Sequence, residues 1–242
     1  TGNTKNTDRE KEFANRYSKA CDYLVAPSEF SKIIYSYKFN KSADRILVYH
    51  QPRYEFLVES NGRKNLEKIV KKDLSKYNKI IMYAPTFRKG IGTEDGKLNL
   101  NNLINLKPYN EKKLKEYVEK NNYLLVLKMH PSEESKIKIY NSENIILLKD
   151  SDMLENFITI NEILNCVDLL IADYSSIYID YINLLRPVLF LDTDLKKYEE
   201  DRGLLFNGND IWFPGPRVDD IDSFIIESEK LLNDYKYFKR ER

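Results

Sequence analysis

The chain has 242 residues, of which 42% are hydrophobic and 32% charged, with 39 Lys and Arg against 38 Asp and Glu. That composition excludes wholesale disorder, and a net charge of +1 provides no global field for holding nucleic acid. Cys21 and Cys166 form no CxxC, which argues against a disulfide framework or a thiolate zinc site and suits a reducing compartment. No apolar run approaches the ~20 residues of a membrane span, and the polar first residues, TGNTKNTDREKEFANRYSKA, are no secretory signal.

Short apolar runs alternate with longer helical patterns along the chain. In order, the sequence predicts a helix over 10–19, a strand over 23–26, a helix over 28–37 and a strand over 46–49. A helix over 65–77 and a strand over 80–84 follow. Then come a helix over 111–121, strands over 123–128 and 145–148, a helix over 158–166 and a strand over 169–172. A helix over 176–184, a strand over 188–191 and a helix over 221–235 complete the pattern. Several strands are apolar on consecutive residues, as strands buried on both faces are. Strand and helix alternating at this spacing imply parallel βαβ units with helices on both faces of a doubly wound sheet. Residues 90–108 are polar and Asn-rich and read as a long surface loop.

A seam is expected near 51–65, where the text turns polar before a fresh series of strands. Residues 61–242 contain enough strands for a complete domain. Residues 1–60 contain too few, and read as the tail of a preceding domain.

In an open parallel sheet, ligands bind outside the carboxyl ends of the strands. The segments there are Pro85-Thr86-Phe87-Arg88, Met129-His130-Pro131, Asp173-Tyr174-Ser175-Ser176 and Asp192-Thr193-Asp194. Ser175 or Ser176 is placed to cap a helix, whose first N–H groups and hydroxyls suit an anion; a capping role alone fits equally well. Asp180 lies one turn after Ser176, where a carboxylate can receive ribose hydroxyls or stay solvated. His130 ends a strand, and an imidazole there can donate to a phosphate oxygen. His50 also ends a strand, and a packing or turn role suits it better. Arg88 suits forked phosphate contacts, though Thr86 and Arg88 read by themselves as a surface ion-pair region. The acidic stretch 192–201 touches a ligand or is a solvated face, and Trp212-Phe213-Pro214-Gly215-Pro216 is a turn with an aromatic anchor. The sequence has no HExxH, EF-hand loop, GxxxxGK[ST] or GxGxxG, which disfavours P-loop enzymes and the usual dinucleotide-binding dehydrogenases.

Taken together, MYAPTFR (82–88), LLVLKMHP (124–131), DLLIADYSSIYIDYINLLRPVLFLDTDLKKYEEDRGLLF (168–206) and FPGP (213–216) resemble the CDP-glycerol glycerophosphotransferase family. That family comprises teichoic-acid primases and polymerases, CDP-ribitol enzymes and capsule polymerases. Its usual Gly-x-Pro-Arg-Asn-Asp reads His50-Gln51-Pro52-Arg53-Tyr54-Glu55 here. The resemblance implies a GT-B-type α/β fold: a C-terminal nucleotide-binding domain at 61–242, and the tail of a truncated Rossmann-like acceptor-side domain at 1–60. It implies transfer of a polyol phosphate from CDP-glycerol or CDP-ribitol to a hydroxyl of a lipid-linked wall or capsule polymer, releasing CMP. It implies no metal or other cofactor, and the balanced charge gives no expectation of a nucleic-acid partner. By the same resemblance His130 is catalytic at the donor phosphates, Ser175 and Ser176 hold the pyrophosphate, Thr86 and Arg88 lie beside it, and Asp180 meets the ribose. The expected location is cytoplasmic, peripheral at the inner face of a bacterial membrane, anchored through a missing N-terminal part. The family's His-Gly-Thr motif, with its general-base histidine, does not occur in this chain, so a fragment of a longer enzyme is expected. The alternatives are a nucleotide-binding fragment or scaffold inactive alone, and a GT-B glycosyltransferase using a UDP-sugar.

Overall fold

Five consecutive apolar runs become neighbouring strands of one sheet, four of them interior and one at an edge. The computed structural model describes residues 8–86, 102–134, 142–193, 195 and 212–241. Strands β3 (Lys79–Tyr83), β4 (Tyr123–Leu127), β5 (Ile145–Leu147), β6 (Leu169–Ala172), β7 (Val188–Leu191) and β8 (Arg217–Val218) form a parallel sheet in the order β5-β4-β3-β6-β7-β8. The chain starts at the centre, winds outward to one edge, returns, and winds to the other. That is the doubly wound order, and its switch point lies between β3 and β6.

Alternate residues of these strands enter two separate cores. Ile81, Tyr83, Leu125, Leu127, Leu169 and Ile171 face α5 (Glu111–Lys120) and α10 (Ile221–Asn233), which contribute Leu114, Val118 and Phe224. Ile80, Met82, Leu124, Val126, Leu170 and Phe190 face the other side, where α4 (Gly62–Val70) and α8 (Asn161–Leu164) supply Leu66, Ile69, Ile163 and Leu164. This period of two, apolar on both faces, is why the runs read as buried strands.

The helix α3 (Arg53–Glu59) packs on the same second face and buries Leu57 completely, a contribution of ~1.5–3 kcal/mol for a leucine. Upstream, α1 (Asp8–Ala20) and α2 (Glu29–Phe39) flank a two-stranded parallel sheet of β1 (Leu24–Ala26) and β2 (Ile46–Val48). Leu24, Ala26 and Ile46 form its small core, while Val25 and Leu47 point outward. Ser28 caps α2 by accepting the Ser31 N–H at 3.1 Å, and Asn40, left-handed at φ 45°, ends it.

Several expected elements differ. The helix expected over 65–77 starts at Gly62 and ends at Val70, because Lys71 turns left-handed at φ 53°. The one expected over 158–166 is the short α8. The one expected over 221–235 divides at Asp234, where α11 (Tyr235–Glu241) begins. The helices α3, α6 (Pro131–Glu134) and α7 (Asp150–Glu155), and the strand β8, lie where no element was expected. Of the expected surface loop, residues 102–106 are instead in or against the core: Leu103, Ile104 and Leu106 are buried. Asn102 makes this possible by accepting the Leu106 N–H at 3.1 Å and donating to the Leu106 carbonyl at 2.6 Å, which satisfies backbone groups that burial would orphan.

Candidate functional site

The two strands that flank the switch point end in Ala84-Pro85-Thr86 and in Asp173-Tyr174-Ser175. Asp173 is 1% exposed. Its Oδ1 accepts the Thr86 N–H and the Thr86 hydroxyl, both at 2.7 Å, and the Ser175 N–H at 3.0 Å. One buried carboxylate thus ties both loops of the crevice together. Thr86 and Ser175 are thereby brought onto a common anchor, which neither motif reveals alone.

After Ser175 the chain enters α9 (Ile177–Tyr181), which tightens into a 3-10 turn at Ile182–Leu184. Ser176 occupies the capping position as expected, but with helical backbone angles, and its hydroxyl makes no capping bond. Ser175 is half-buried and Ser176 exposed. Neither hydroxyl has a hydrogen-bond partner among the described residues. They are therefore available to a ligand in the crevice. Tyr181 holds the far end of the turn: it is fully buried, donates its hydroxyl to the Val167 carbonyl at 2.9 Å, and burial pushes its ionisation well above the ordinary range.

Asp180 lies on α9 but is buried. Its Oδ1 receives Arg53 Nη2 at 3.0 Å and Nε at 3.2 Å, and its Oδ2 receives Asn161 Nδ2 at 3.4 Å. Neighbouring Tyr54 is pushed up, by burial first and by the Asp180 charge second.

His130 is exposed, just beyond β4. The Lys128 N–H donates to the Tyr83 carbonyl at 2.8 Å, which sets the histidine's segment beside the one leading to Thr86. The His130 carbonyl accepts the N–H groups of Glu133 and Glu134 at 2.8 and 3.2 Å, starting α6. Lys128 itself is largely buried. Its Nζ donates to the Met129 carbonyl at 2.8 Å and lies 2.7 Å from Asp150 Oδ1 and 3.4 Å from Glu134 Oε1.

The other candidates lie elsewhere. Arg88 and residues 196–203 are outside the described residues. Asp192 pairs with Arg217 at 3.8 Å, and Thr193 accepts from Asn105 at 2.9 Å. His50 stacks on Tyr49 and lies 3.1 Å from Glu55 in an exposed turn. Trp212 stacks on Phe30 with ring centroids 5.7 Å apart, which fits an anchor. Among the described residues, no group of three or more His, Cys, Asp or Glu side chains could hold a metal ion. No helix there is long and apolar enough to cross a membrane.

The sequence alone gives Asp173 no role and does not reveal Lys128, Asn161 or the partner of Arg53. The signal for Asp173 was a carboxylate directly after an apolar strand. For the others, partners lie far away in sequence.

The model of the CDP-glycerol:poly(glycerophosphate) glycerophosphotransferase family matches residues 1–242. The teichoic acid glycerol-phosphate primase of Bacillus subtilis (strain 168) is 32% identical over 231 residues, which are 94% of this chain and 55% of that protein. The teichoic acid poly(glycerol phosphate) polymerase of Bacillus spizizenii is 29% identical over 221 residues, 89% of this chain and 52% of that one. The solved wall teichoic acid polymerase TagF superposes with a TM-score of 0.73 at 27% identity, covering 98% of this chain and 56% of that one. The chain spans about half the length of these relatives. The fold is GT-B-like, as expected.

Proposed function

Because the chain belongs to the CDP-glycerol:poly(glycerophosphate) glycerophosphotransferase family, we propose that it is the donor-binding part of a polyol-phosphate transferase. The donor is CDP-glycerol, with CDP-ribitol as the competing polyol. The acceptor is a hydroxyl of a lipid-linked wall or capsule polymer, reached from the inner membrane face by peripheral attachment. Residues 61–242 form the donor domain and residues 1–60 belong to the acceptor side.

The observation that carries this reading is the crevice at the switch point. There Asp173 locks the Thr86 and Ser175 loops, and two serine hydroxyls stand without partners among the described residues. Hydroxyl donors on a rigid turn at this place suit a pyrophosphate. In the reaction, an acceptor hydroxyl gives its proton to a general base as its oxygen attacks the β-phosphorus of the CDP-polyol, the bond from that phosphorus to the bridging oxygen breaks, and CMP leaves with the electron pair. The Ser175 and Ser176 hydroxyls orient the phosphates. His130, exposed at the neighbouring strand end, donates to the oxygens as charge shifts toward CMP. Catalysis is then positioning and charge stabilisation, as for other phosphoryl transfers.

Calorimetry on this chain in EDTA tests the reading. CMP and CDP-glycerol are expected to bind and a UDP-sugar is not. Binding of CMP only when magnesium is added would overturn the metal-independent site. A preference for the UDP-sugar would replace the donor.

A further inference from the structure

The helix α9 has only five residues and no side-chain cap. So short a helix does not hold its own first turn, since nucleation is costly. Its place is set by tertiary anchors, and Asp180 is the charged one. The carboxylate is buried, and removing a carboxylate from water requires partners. Among the described residues these include Arg53, which brings both Nη2 and Nε to Oδ1, and Asn161 at Oδ2. Asp180 sits one helical turn beyond Ser176, so whatever fixes Asp180 fixes the serine turn. Arg53 in turn opens α3, which is clamped to the core by Leu57 and follows β2 through the four residues Tyr49-His50-Gln51-Pro52.

We propose that Arg53 and Asp180 are a positioning pair that sets the Ser175–Ser176 turn for the donor's phosphates and joins the β1–β2 unit to that turn. The inference rests on the donor-site reading above. It gives Asp180 a role distinct from ribose contact, because both carboxylate oxygens already have partners in the protein. The two roles separate experimentally. A positioning pair acts on the phosphate end of the ligand, whereas a ribose contact acts on the nucleoside.

The test measures affinity for CDP-glycerol by calorimetry and for cytidine by NMR titration, with melting temperatures, on the wild-type chain and on Arg53→Lys, Arg53→Ala, Asp180→Asn and the Arg53→Ala/Asp180→Asn double variant. Arg53→Ala and Asp180→Asn are each expected to weaken CDP-glycerol about tenfold while leaving cytidine within about twofold. The double variant should be no worse than either single one, and Arg53→Lys should recover part of the loss. Unchanged CDP-glycerol affinity in Arg53→Ala, in a wild-type chain that binds it, would overturn the pair alone. Equal losses of cytidine and CDP-glycerol in Asp180→Asn would return Asp180 to the ribose. A wild-type chain that binds no CDP-glycerol would instead overturn the donor-site reading, and the pair with it.

Discussion

Thr86 donates both its backbone N–H and its hydroxyl proton to one oxygen, Oδ1 of Asp173, each across 2.7 Å. A hydroxyl has a single proton to give, so the Thr86 hydroxyl supports the loop and is not a donor to phosphate. Thr86→Val keeps shape and N–H and removes only that bond. It is expected to lower the melting temperature by ~2–4 °C, for a bond worth about 1 kcal/mol, and to leave CDP-glycerol affinity within about threefold. A loss beyond about tenfold, or about 1.4 kcal/mol, would show that the hydroxyl meets the ligand. Asp173→Ala should do far more harm. It strands three donors at once, each costing ~1–3 kcal/mol when left unsatisfied.

His130 is expected to behave in the opposite way. It is exposed beyond β4, while its segment is held by the Lys128 N–H and its carbonyl by the first turn of α6. His130→Ala in the full-length gene product should therefore keep its melting temperature and lose ~100–1,000-fold in rate, the usual loss for one transition-state donor. An active but less stable variant would assign the imidazole to structure.

Lys128 is the hidden support of that segment. Its ammonium lies between Glu134 and Asp150 with only 12% of its side chain exposed. Removing one partner of a buried pair leaves an uncompensated charge, at a cost of ~3–5 kcal/mol. Lys128→Met should lower the melting temperature by about 6–20 °C. Added salt should change the wild-type value little, because buried pairs are poorly screened. A surface-like response, with little loss and strong salt dependence, would refute the buried role.

What the sequence shows clearly follows from burial. Strands β3, β4, β6 and β7 are apolar on both faces, so their runs are visible without knowing their partners. Strand β8 has two residues, too few to display a period. Its place is fixed instead by Gly215, where an added Cβ would lie 2.1 Å from the Val188 carbonyl oxygen. Helix α3 was hidden because only Leu57 of its seven residues is fully buried. The site was legible as motifs at strand ends, but the bonds that join them were not. Asp173 meets Thr86 across 87 positions and Arg53 meets Asp180 across 127, separations at which a single sequence carries no pairing signal.

Alkaline stability should break first at Cys166. Burial is the main cause that pushes its thiol up from 9.0 to about 12. The unfolded chain therefore loses this proton near pH 9 while the folded chain keeps it. Stability is then full below pH 9 and falls as pH rises toward 12. Tyr117 and Tyr181 are raised above 10.0 for the same reason, so the fall should steepen beyond pH 10. Urea midpoints measured from pH 8 to 11 should show this onset, and Cys166→Ala should flatten the interval between 9 and 10. An unchanged slope in that variant would mean that the thiol ionises equally in both states.

Gly62→Ala sets two opposing effects against each other. At an ordinary helix position the change would stabilise by ~0.5–1 kcal/mol. Here Gly62 opens α4 in contact with α8, and its N–H donates to Asn165 Oδ1 at 2.9 Å. An added Cβ would lie 2.1 Å from that oxygen and 2.7 Å from the Ile163 carbonyl oxygen. The Asn165 side chain can swing away, though it then gives up its bonds to Gly62 and to the Ser60 carbonyl. The Ile163 carbonyl is backbone of a buried helix and cannot move without shifting α8, which also carries Asn161. Overpacking of this kind costs ~1–3 kcal/mol and outweighs the helix gain. The variant should melt ~2–8 °C lower, and Asn165→Ala in the same chain should restore only part of the loss. A melting temperature at or above wild type would show that α4 and α8 can separate, and would weaken the case that this contact holds Asn161 against Asp180.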